Sequence, residues 1–200
     1  MYFFYKILKT YRKYFGMICS YLCLIMLKSS GVEGKVVVKG YCLFDFSSGS
    51  SIVIEDNVFL VSSPFSTISD GSFLEIKVQR KGKLFIGMNF GISPSSVHVW
   101  ESIHIGSYVN IGAGCLIMDT DFHSLDPILR SSPEGGEPGQ YVRTCPIEIE
   151  DYAFIGARSI IGKGVTIGEN SIIASGSVVV KSVPKNEVWG GNPAKFIRKI

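Results

Sequence analysis

Aliphatic side chains recur every six residues through the C-terminal part of this chain. The positions of the unbroken run are Ile149, Ile155, Ile161, Ile167, Ile173 and Val179. Most of the residues that follow them are glycine or alanine, and the residues four places on are small or β-branched. A second run in another frame consists of Val99, Ile105, Ile111 and Ile117. With weaker traces further upstream, the repeat covers roughly residues 40–184.

A period of six argues against a helix and predicts short strands. On a helix of 3.6 residues per turn, aliphatic residues six apart would spread over every face. Short strands that meet at corners explain the pattern, because one aliphatic side chain per strand points into a narrow core and a small residue fits each bend. Successive coils then pair main chain to main chain about 4.8 Å apart. We therefore expect an all-β solenoid.

The runs I-G-A-R-S-I, I-G-K-G-V-T and I-G-E-N-S-I resemble those of the hexapeptide-repeat acyltransferases. This resemblance implies a left-handed parallel β-helix, although crossovers between parallel strands are otherwise right-handed. We expect the β-helix domain to cover residues 31–200, after an N-terminal helix over residues 1–30. A short helical cap is expected to close the domain over residues 185–200.

The first 28 residues differ from the rest of the chain. The basic residues of their first half are Lys6, Lys9, Arg12 and Lys13. Aromatic and aliphatic residues fill the other face of the predicted helix, a pattern typical of an interfacial membrane helix. Residues 14–27 are almost wholly apolar but short for a bilayer span. Contact of residues 1–28 with a membrane surface, packing on the protein itself, and a signal or span are three open interpretations.

The repeat breaks after Ile117, and the interval to Ile149 is 32 residues, which is not a multiple of six. We therefore expect a loop over residues 123–146 to leave the solenoid, and long loops in compact folds usually carry function. His123 lies where the chain leaves the coil. A lone histidine beside acidic residues is most often part of a solvated turn, but at this place it can face a groove that the loop walls off.

The segment D-x-D-x-H-x-L-D-P and the later C-P-I-x-I-x-D-Y-A-F-I-G-A are similar to the maltose and galactoside O-acetyltransferases, and most similar to the branch that modifies cell-surface polysaccharides. The resemblance implies that His123 is the general base, which removes the proton of a sugar hydroxyl as it attacks a thioester. Imidazole, with a pKa near neutrality, suits this task. Asp119 and Asp121 are candidates to orient the ring, and a backbone carbonyl is an equal alternative.

The acceptor site has weaker signals. The maltose and galactoside enzymes carry an aromatic-rich segment with a functional asparagine one coil earlier, whereas this chain reads G-I-S-P-S-S there and Asn89 falls out of register. Trp100 is a candidate platform on which a sugar ring stacks, although an aromatic residue at a repeat corner is as often packing. Asn89 and Trp100 are therefore the candidate substrate-binding residues.

The C-terminal runs A-S-G-S-V-V-V-K and G-G-N-P-A-K-F-I-R match the closing signature of the family. The resemblance implies acetyl-CoA as co-substrate, no metal, and a coenzyme groove between two solenoids of a homotrimer. The implied contacts are Ala157, Ser175 and Gly176 for the pantetheine arm and Lys181, Lys195 and Arg198 for the phosphates. Cations suit a highly charged phosphate group, although without the family context they would be the solvated end of the chain.

Composition narrows the partners and the compartment. The net charge is only +3, and no basic block is interleaved with aromatic residues, so no nucleic-acid partner is expected. Five cysteines without framework spacing indicate a reducing compartment. We expect a cytoplasmic protein, in contact with the inner face of the cytoplasmic membrane, that acetylates a sugar hydroxyl in cell-surface polysaccharide biosynthesis.

Other functions share the same repeat. An N-acetyltransferase acting on an amino-sugar nucleotide would use the same coenzyme groove, but no Gly-rich phosphate loop occurs near the N-terminus. A γ-class carbonic anhydrase needs three metal-binding imidazoles, and His98, His104 and His123 lack the paired spacing of that family. A non-catalytic solenoid would show no thioester turnover.

Overall fold

The computed structural model describes residues 2–62, 72–131 and 141–200, with side chains described from residue 14 onward. The helices are α1 (Tyr2–Ser29) and α2 (Pro127–Ser131). The strands before α2 are β1 (Val36–Gly40), β2 (Cys42–Phe46), β3 (Ser51–Ile54), β4 (Val58–Ser62), β5 (Leu74–Val78), β6 (Lys83–Ile86), β7 (Gly91–Ile92), β8 (Ser96–Val99), β9 (Ser102–Ile105), β10 (Asn110–Ile111) and β11 (Leu116–Met118). The later strands are β12 (Ile147–Ile149), β13 (Phe154–Ile155), β14 (Ile160–Ile161), β15 (Thr166–Ile167), β16 (Ile172–Ile173), β17 (Val178–Val179), β18 (Glu187–Gly191) and β19 (Ala194–Lys199).

The strands form the three walls of a triangular prism. The first sheet has the order β1-β4-β7-β10-β13-β16-β18-β19, the second has β2-β5-β8-β11-β14-β17, and the third has β3-β6-β9-β12-β15. Neighbouring strands are parallel except for the β18–β19 pair. From β4 to β17, each strand pairs with the strand three places earlier in the chain. One coil therefore contains three strands and three corners.

The six-residue period is confirmed by the core. The aliphatic residues of both runs are buried. Those on the same wall lie above one another in successive coils, as Ile117 pairs with Ile161 and Ile161 with Val179. Serines at the corners are buried too, and their hydroxyls donate to main-chain carbonyls; the Ser159 Oγ, for example, donates to the Gly156 oxygen over 2.7 Å. Burial of these hydroxyls is therefore compensated by hydrogen bonds.

Helix α1 packs on the first coil. Cys23 and Leu27 are buried in the core, and the Cys23 thiol lies 3.3 Å from the Cys42 carbonyl oxygen, to which it donates. The opposite side of the helix leaves large apolar side chains exposed, among them Ile18 and Tyr21. One side of α1 therefore packs on the protein. No helix within the described ranges is long and apolar enough to cross a membrane.

The C-terminal end corrects the expected helical cap over residues 185–200. Strands β18 and β19 form an antiparallel hairpin there, and β18 also extends the first sheet in parallel with β16. The free edge of β16 offers hydrogen-bonding groups to the next segment, and the turn at Gly191, with its φ of 102°, reverses the chain. The solenoid also begins earlier than the repeat indicates, at Val36.

Candidate active site

One edge of the prism carries all the candidate catalytic residues, together with Trp100 and Lys181. The corners that join the second sheet to the third lie above one another, and we call this column the histidine edge. It consists of residues 47–50, 79–82, 100–101, 119–123, 162–165 and 180–183. The chain leaves the coil on this edge, between β11 and β12, where the loop over residues 123–146 is predicted.

Two main-chain contacts hold the ends of the loop together, and we call this pair of contacts the clamp. Thr120 and Thr144 form an antiparallel bridge. Next to it, the Asp121 nitrogen donates to the Arg143 oxygen over 3.1 Å. His123 lies two residues beyond this clamp with an exposed side chain, and its backbone nitrogen donates to the Asp121 carbonyl over 2.7 Å. The clamp therefore fixes the point at which the chain presents His123 to solvent.

Asp119 is completely buried below this clamp. Its carboxylate accepts hydrogen bonds of 2.8 Å from the backbone nitrogens of Trp100, Glu101 and Ser102. Burial raises the pKa of Asp119 above the usual 3.8, and these three hydrogen bonds oppose that shift. Both carboxylate oxygens are engaged with the neighbouring corner, so the carboxylate joins two coils of the edge.

Asp121 forms an ion pair with Lys163, which lies one coil further along the edge. The sequence alone does not predict a role for Lys163, because the loop interrupts the period and hides which corner follows residue 121. The sequence marks Lys163 as a corner residue only by its position directly after the glycine of I-G-K-G-V-T. Within the described residues, the imidazole of His123 makes no hydrogen bond to Asp119 or Asp121, so neither predicted orienter holds the ring in this structure.

An aromatic cluster surrounds Phe122, the residue before His123. The Phe122 ring stands edge-on to His98 and to Trp100, with centroids 5.2 and 5.5 Å apart. The guanidinium of Arg80 lies 3.8 Å from the centroid of the Trp100 ring, whose Nε1 donates to Gln79 over 3.3 Å. Trp100, predicted as a platform for a sugar, is therefore in contact with the protein's own cation and aromatic ring.

Asn89 does not join this cluster. It lies between β6 and β7, on the edge that joins the third sheet to the first, in a left-handed turn with φ of 56°. Its backbone nitrogen donates to the Asp56 oxygen over 3.0 Å in the preceding coil. The two predicted substrate-binding residues, Asn89 and Trp100, are therefore on different edges of the prism.

The candidate coenzyme residues are divided between two edges and the hairpin. Ala157, Ser175 and Gly176 lie at corners that join the first sheet to the second, where the Gly176 nitrogen donates to the Ala157 oxygen over 2.8 Å. Close approach is essential there, because a Cβ added to Gly156 would lie 2.5 Å from the Ser175 nitrogen. Lys181 is on the histidine edge. One chain alone therefore does not bring His123 and the pantetheine candidates together.

The remaining two basic candidates, Lys195 and Arg198, are exposed on β19. A surface pocket lined by Glu33, Ile54 and Asp56 lies at the α1 end of the prism and holds no candidate residue. In the part of the chain that the structure describes, no three His, Cys, Asp or Glu side chains are grouped so as to hold a metal ion.

The repeat found in the sequence matches a known family model over part of the chain. Residues 146–181 match the bacterial transferase hexapeptide (six repeats) family. Solved acyltransferase structures, one of them a hexapeptide-repeat acetyltransferase, superimpose on most of the chain, and this agreement confirms the predicted left-handed parallel β-helix. The chain carries the hexapeptide repeat of these acyltransferases, as its sequence motifs indicate.

Similarity extends to particular acyltransferases. Galactoside O-acetyltransferase of Escherichia coli (strain K12) is 29% identical over 161 residues, which cover 79% of this chain and 75% of that enzyme. A mutant of AntD, an N-acyltransferase from Bacillus cereus solved with dTDP and coenzyme A, superimposes with a TM-score of 0.66 and 25% identity over 87% of each chain. A hexapeptide-repeat acetyltransferase from Vibrio cholerae, solved with acetyl coenzyme A, covers 84% of this chain and 70% of its own, with a TM-score of 0.51 and 27% identity.

Proposed function

We propose that the protein transfers an acetyl group from acetyl-CoA to a sugar hydroxyl in the biosynthesis of a cell-surface polysaccharide. The observation that carries this proposal is the position of His123, an exposed imidazole presented by a clamped loop foot on one edge of the prism. The similarity of the chain to galactoside O-acetyltransferase supports a sugar acceptor. Its likeness to an enzyme solved with acetyl coenzyme A supports acetyl-CoA as the donor.

The chemistry requires a neutral imidazole. The ring nitrogen of His123 removes the proton of the acceptor hydroxyl while the oxygen attacks the thioester carbonyl. Collapse of the tetrahedral intermediate forms the ester and breaks the carbon–sulfur bond, and the imidazolium returns its proton to the leaving thiolate. We assign the stabilisation of the oxyanion to a backbone N–H group, as such groups act in acyl transfer.

The site is proposed to form between the protomers of a homotrimer. One chain carries His123 and the pantetheine candidates Ala157, Ser175 and Gly176 on different edges, so a second copy would complete the site. Lys181, Lys195 and Arg198 would meet the phosphates of the coenzyme. Because cyclic assemblies repeat one interface around an axis, a trimer would contain three equivalent sites.

The proposal is tested by a screen of sugar acceptors with acetyl-CoA, in which release of the thiol is followed. Replacement His123→Ala is expected to lower kcat/KM about 10²–10⁴-fold, as loss of a general base does, with the fold intact by circular dichroism. His104→Ala is the matched control, because His104 pairs with Glu148 on the outer face of the third sheet, away from the histidine edge. Undiminished transfer by the His123 variant would contradict the assignment, and a wild type without thiol release would contradict the function.

An N-acyltransferase that acts on an amino-sugar nucleotide is the second candidate. It is favoured by the likeness to AntD, which was solved with dTDP and coenzyme A. The same screen separates the two functions when each sugar is offered as the amino and the hydroxyl form. Faster acetylation of the amine, with formation of an alkali-stable amide, would replace the O-acetyl assignment.

We further propose that α1 brings the enzyme to the cytoplasmic face of the membrane, where lipid-linked saccharide precursors would be accessible. The proposal is supported by the exposed apolar side of its second half and by the basic residues of its first half. Aromatic and aliphatic side chains next to lysine and arginine favour the headgroup region of an anionic bilayer.

A further inference from the structure

Phe122 connects the ion-paired Asp121 to His123 in a left-handed backbone conformation, which Tyr108 and Tyr152 adopt at other turns of the prism. Its φ of 59° lies in the left-handed region, which bulky side chains rarely adopt. The Phe122 nitrogen donates to Thr120 Oγ1 over 3.1 Å, inside the clamp at the foot of the loop. A conformation of this kind is strained and persists only where the surroundings hold it.

The surroundings of the Phe122 ring provide that support. The rings of His98 and Trp100 meet it at interplanar angles of 86° and 81°, the edge-to-face arrangement that aromatic pairs prefer. We call these two side chains the aromatic socket. Ring contacts of this kind stabilise the folded chain and oppose the strain of the backbone conformation.

The aromatic socket is itself held from several sides. Arg80 covers the Trp100 ring, and Asp119 accepts the Trp100 backbone nitrogen over 2.8 Å. The Nε2 of His98 lies 3.4 Å from the Glu75 carboxylate. Burial lowers the pKa of His98, while Glu75 opposes that shift, so the neutral ring is favoured near neutral pH.

We infer that Phe122 is a positioning residue, whose ring docks in the aromatic socket and thereby fixes the backbone from which His123 projects. This inference rests on the proposed function of His123. Asp121 forms an ion pair with Lys163 in the next coil, and the Phe122 ring contacts Trp100 in the preceding coil. The segment that leads into His123 is therefore held by both neighbouring coils. A displacement of about 1 Å in a reacting group lowers rates by as much as 10²-fold, which sets the scale of the effect.

The activity test compares three variants. Phe122→Gly removes the ring and tolerates the left-handed backbone, Phe122→Leu keeps an apolar side chain, and Phe122→Tyr keeps the ring. We expect kcat to fall about 10–100-fold for the glycine variant and less for the leucine variant, with KM for acetyl-CoA unchanged and near wild-type kcat for the tyrosine variant. Phe85→Leu is the matched control, because Phe85 stacks on His104 at 4.5 Å on the third sheet.

A second readout does not depend on activity. The chain has three histidines, so ¹⁵N-histidine labelling resolves the backbone amide of His123 beside two internal references. We expect an order parameter near 0.85 in the wild type and below about 0.6 for His123 alone in Phe122→Gly. An unchanged order parameter with unchanged kcat would overturn the inference. A raised acceptor KM at unchanged kcat would overturn it too and assign the aromatic socket to acceptor binding. A wild type with ordered His123 but no transfer would reject the function alone.

Discussion

At the scale of single residues, Asp119 is a buried carboxylate that connects two coils of the histidine edge. Ionised groups are rarely buried unless hydrogen bonds compensate the loss of water. The backbone N–H groups of three successive residues, Trp100, Glu101 and Ser102, converge on this carboxylate, each at 2.8 Å. It therefore ties the corner that carries Trp100 to the segment that leads into His123.

Substitution of Asp119 is expected to lower stability more than catalysis. Asp119→Asn replaces one acceptor oxygen with an NH₂ group that faces backbone donors, and the unsatisfied groups cost about 1–3 kcal/mol. The midpoint of urea unfolding measures the loss. Asp126→Asn is the control, because Asp126 caps the exposed helix α2 by accepting the Ile128 nitrogen, and asparagine caps equally well. A fall in kcat at unchanged stability would instead support Asp119 as the orienter of His123.

At the scale of elements, α1 has two different sides. Cys23 and Leu27 are buried against the solenoid, whereas Ile18, Tyr21 and Leu22 leave more than half of their surface exposed. Deletion of the whole helix would expose the first coil and change stability together with any membrane contact. Substitutions on the exposed side test membrane contact more cleanly, since they leave the buried side intact.

The double variant Ile18→Glu with Leu22→Glu is expected to lower binding to vesicles that contain anionic lipid at least 10-fold, because two charges would enter the acyl boundary. Co-flotation of the full chain with the vesicles is the measurement, at low and high salt, since screening weakens the contribution of the basic residues. Val53→Glu, at an exposed position of β3, is the control. Equal flotation of both variants would count against membrane contact through this side of α1.

At the scale of the whole molecule, the proposed assembly predicts complementation between inactive chains. His123→Ala lacks the base, and Ser175→Trp places a bulky ring on the exposed corner proposed for the pantetheine arm. If each site takes His123 from one protomer and Ser175 from the next, random trimers of the two variants contain intact sites with a frequency of about one quarter. Activity of the co-expressed pair, relative to each variant alone, measures this recovery. A site within a single chain would give none.

The sequence predicts the repetitive part of the fold better than its ends. A period of six assigns Ile149 to Val179 to the core because each coil repeats the same geometry, whereas the chain end has no repeat to constrain it and β18 pairs instead with the free edge of β16. The break in the repeat locates His123. It conceals the pairing of Asp121 with Lys163, which depends on how a loop of irregular length returns to the prism.

Parallel coils in register also set distances along the histidine edge. Lys163 and Lys181 follow residues 119–123 by one and two coils, and each coil advances by one strand spacing, about 4.8 Å. An extra coil inserted after residue 165 would find matching strand edges above and below it. The insertion would leave Lys163 beside Asp121 and would move Lys181 away from Asp121 by one further strand spacing. Such a protein would accommodate a longer ligand while the surroundings of its histidine stayed the same.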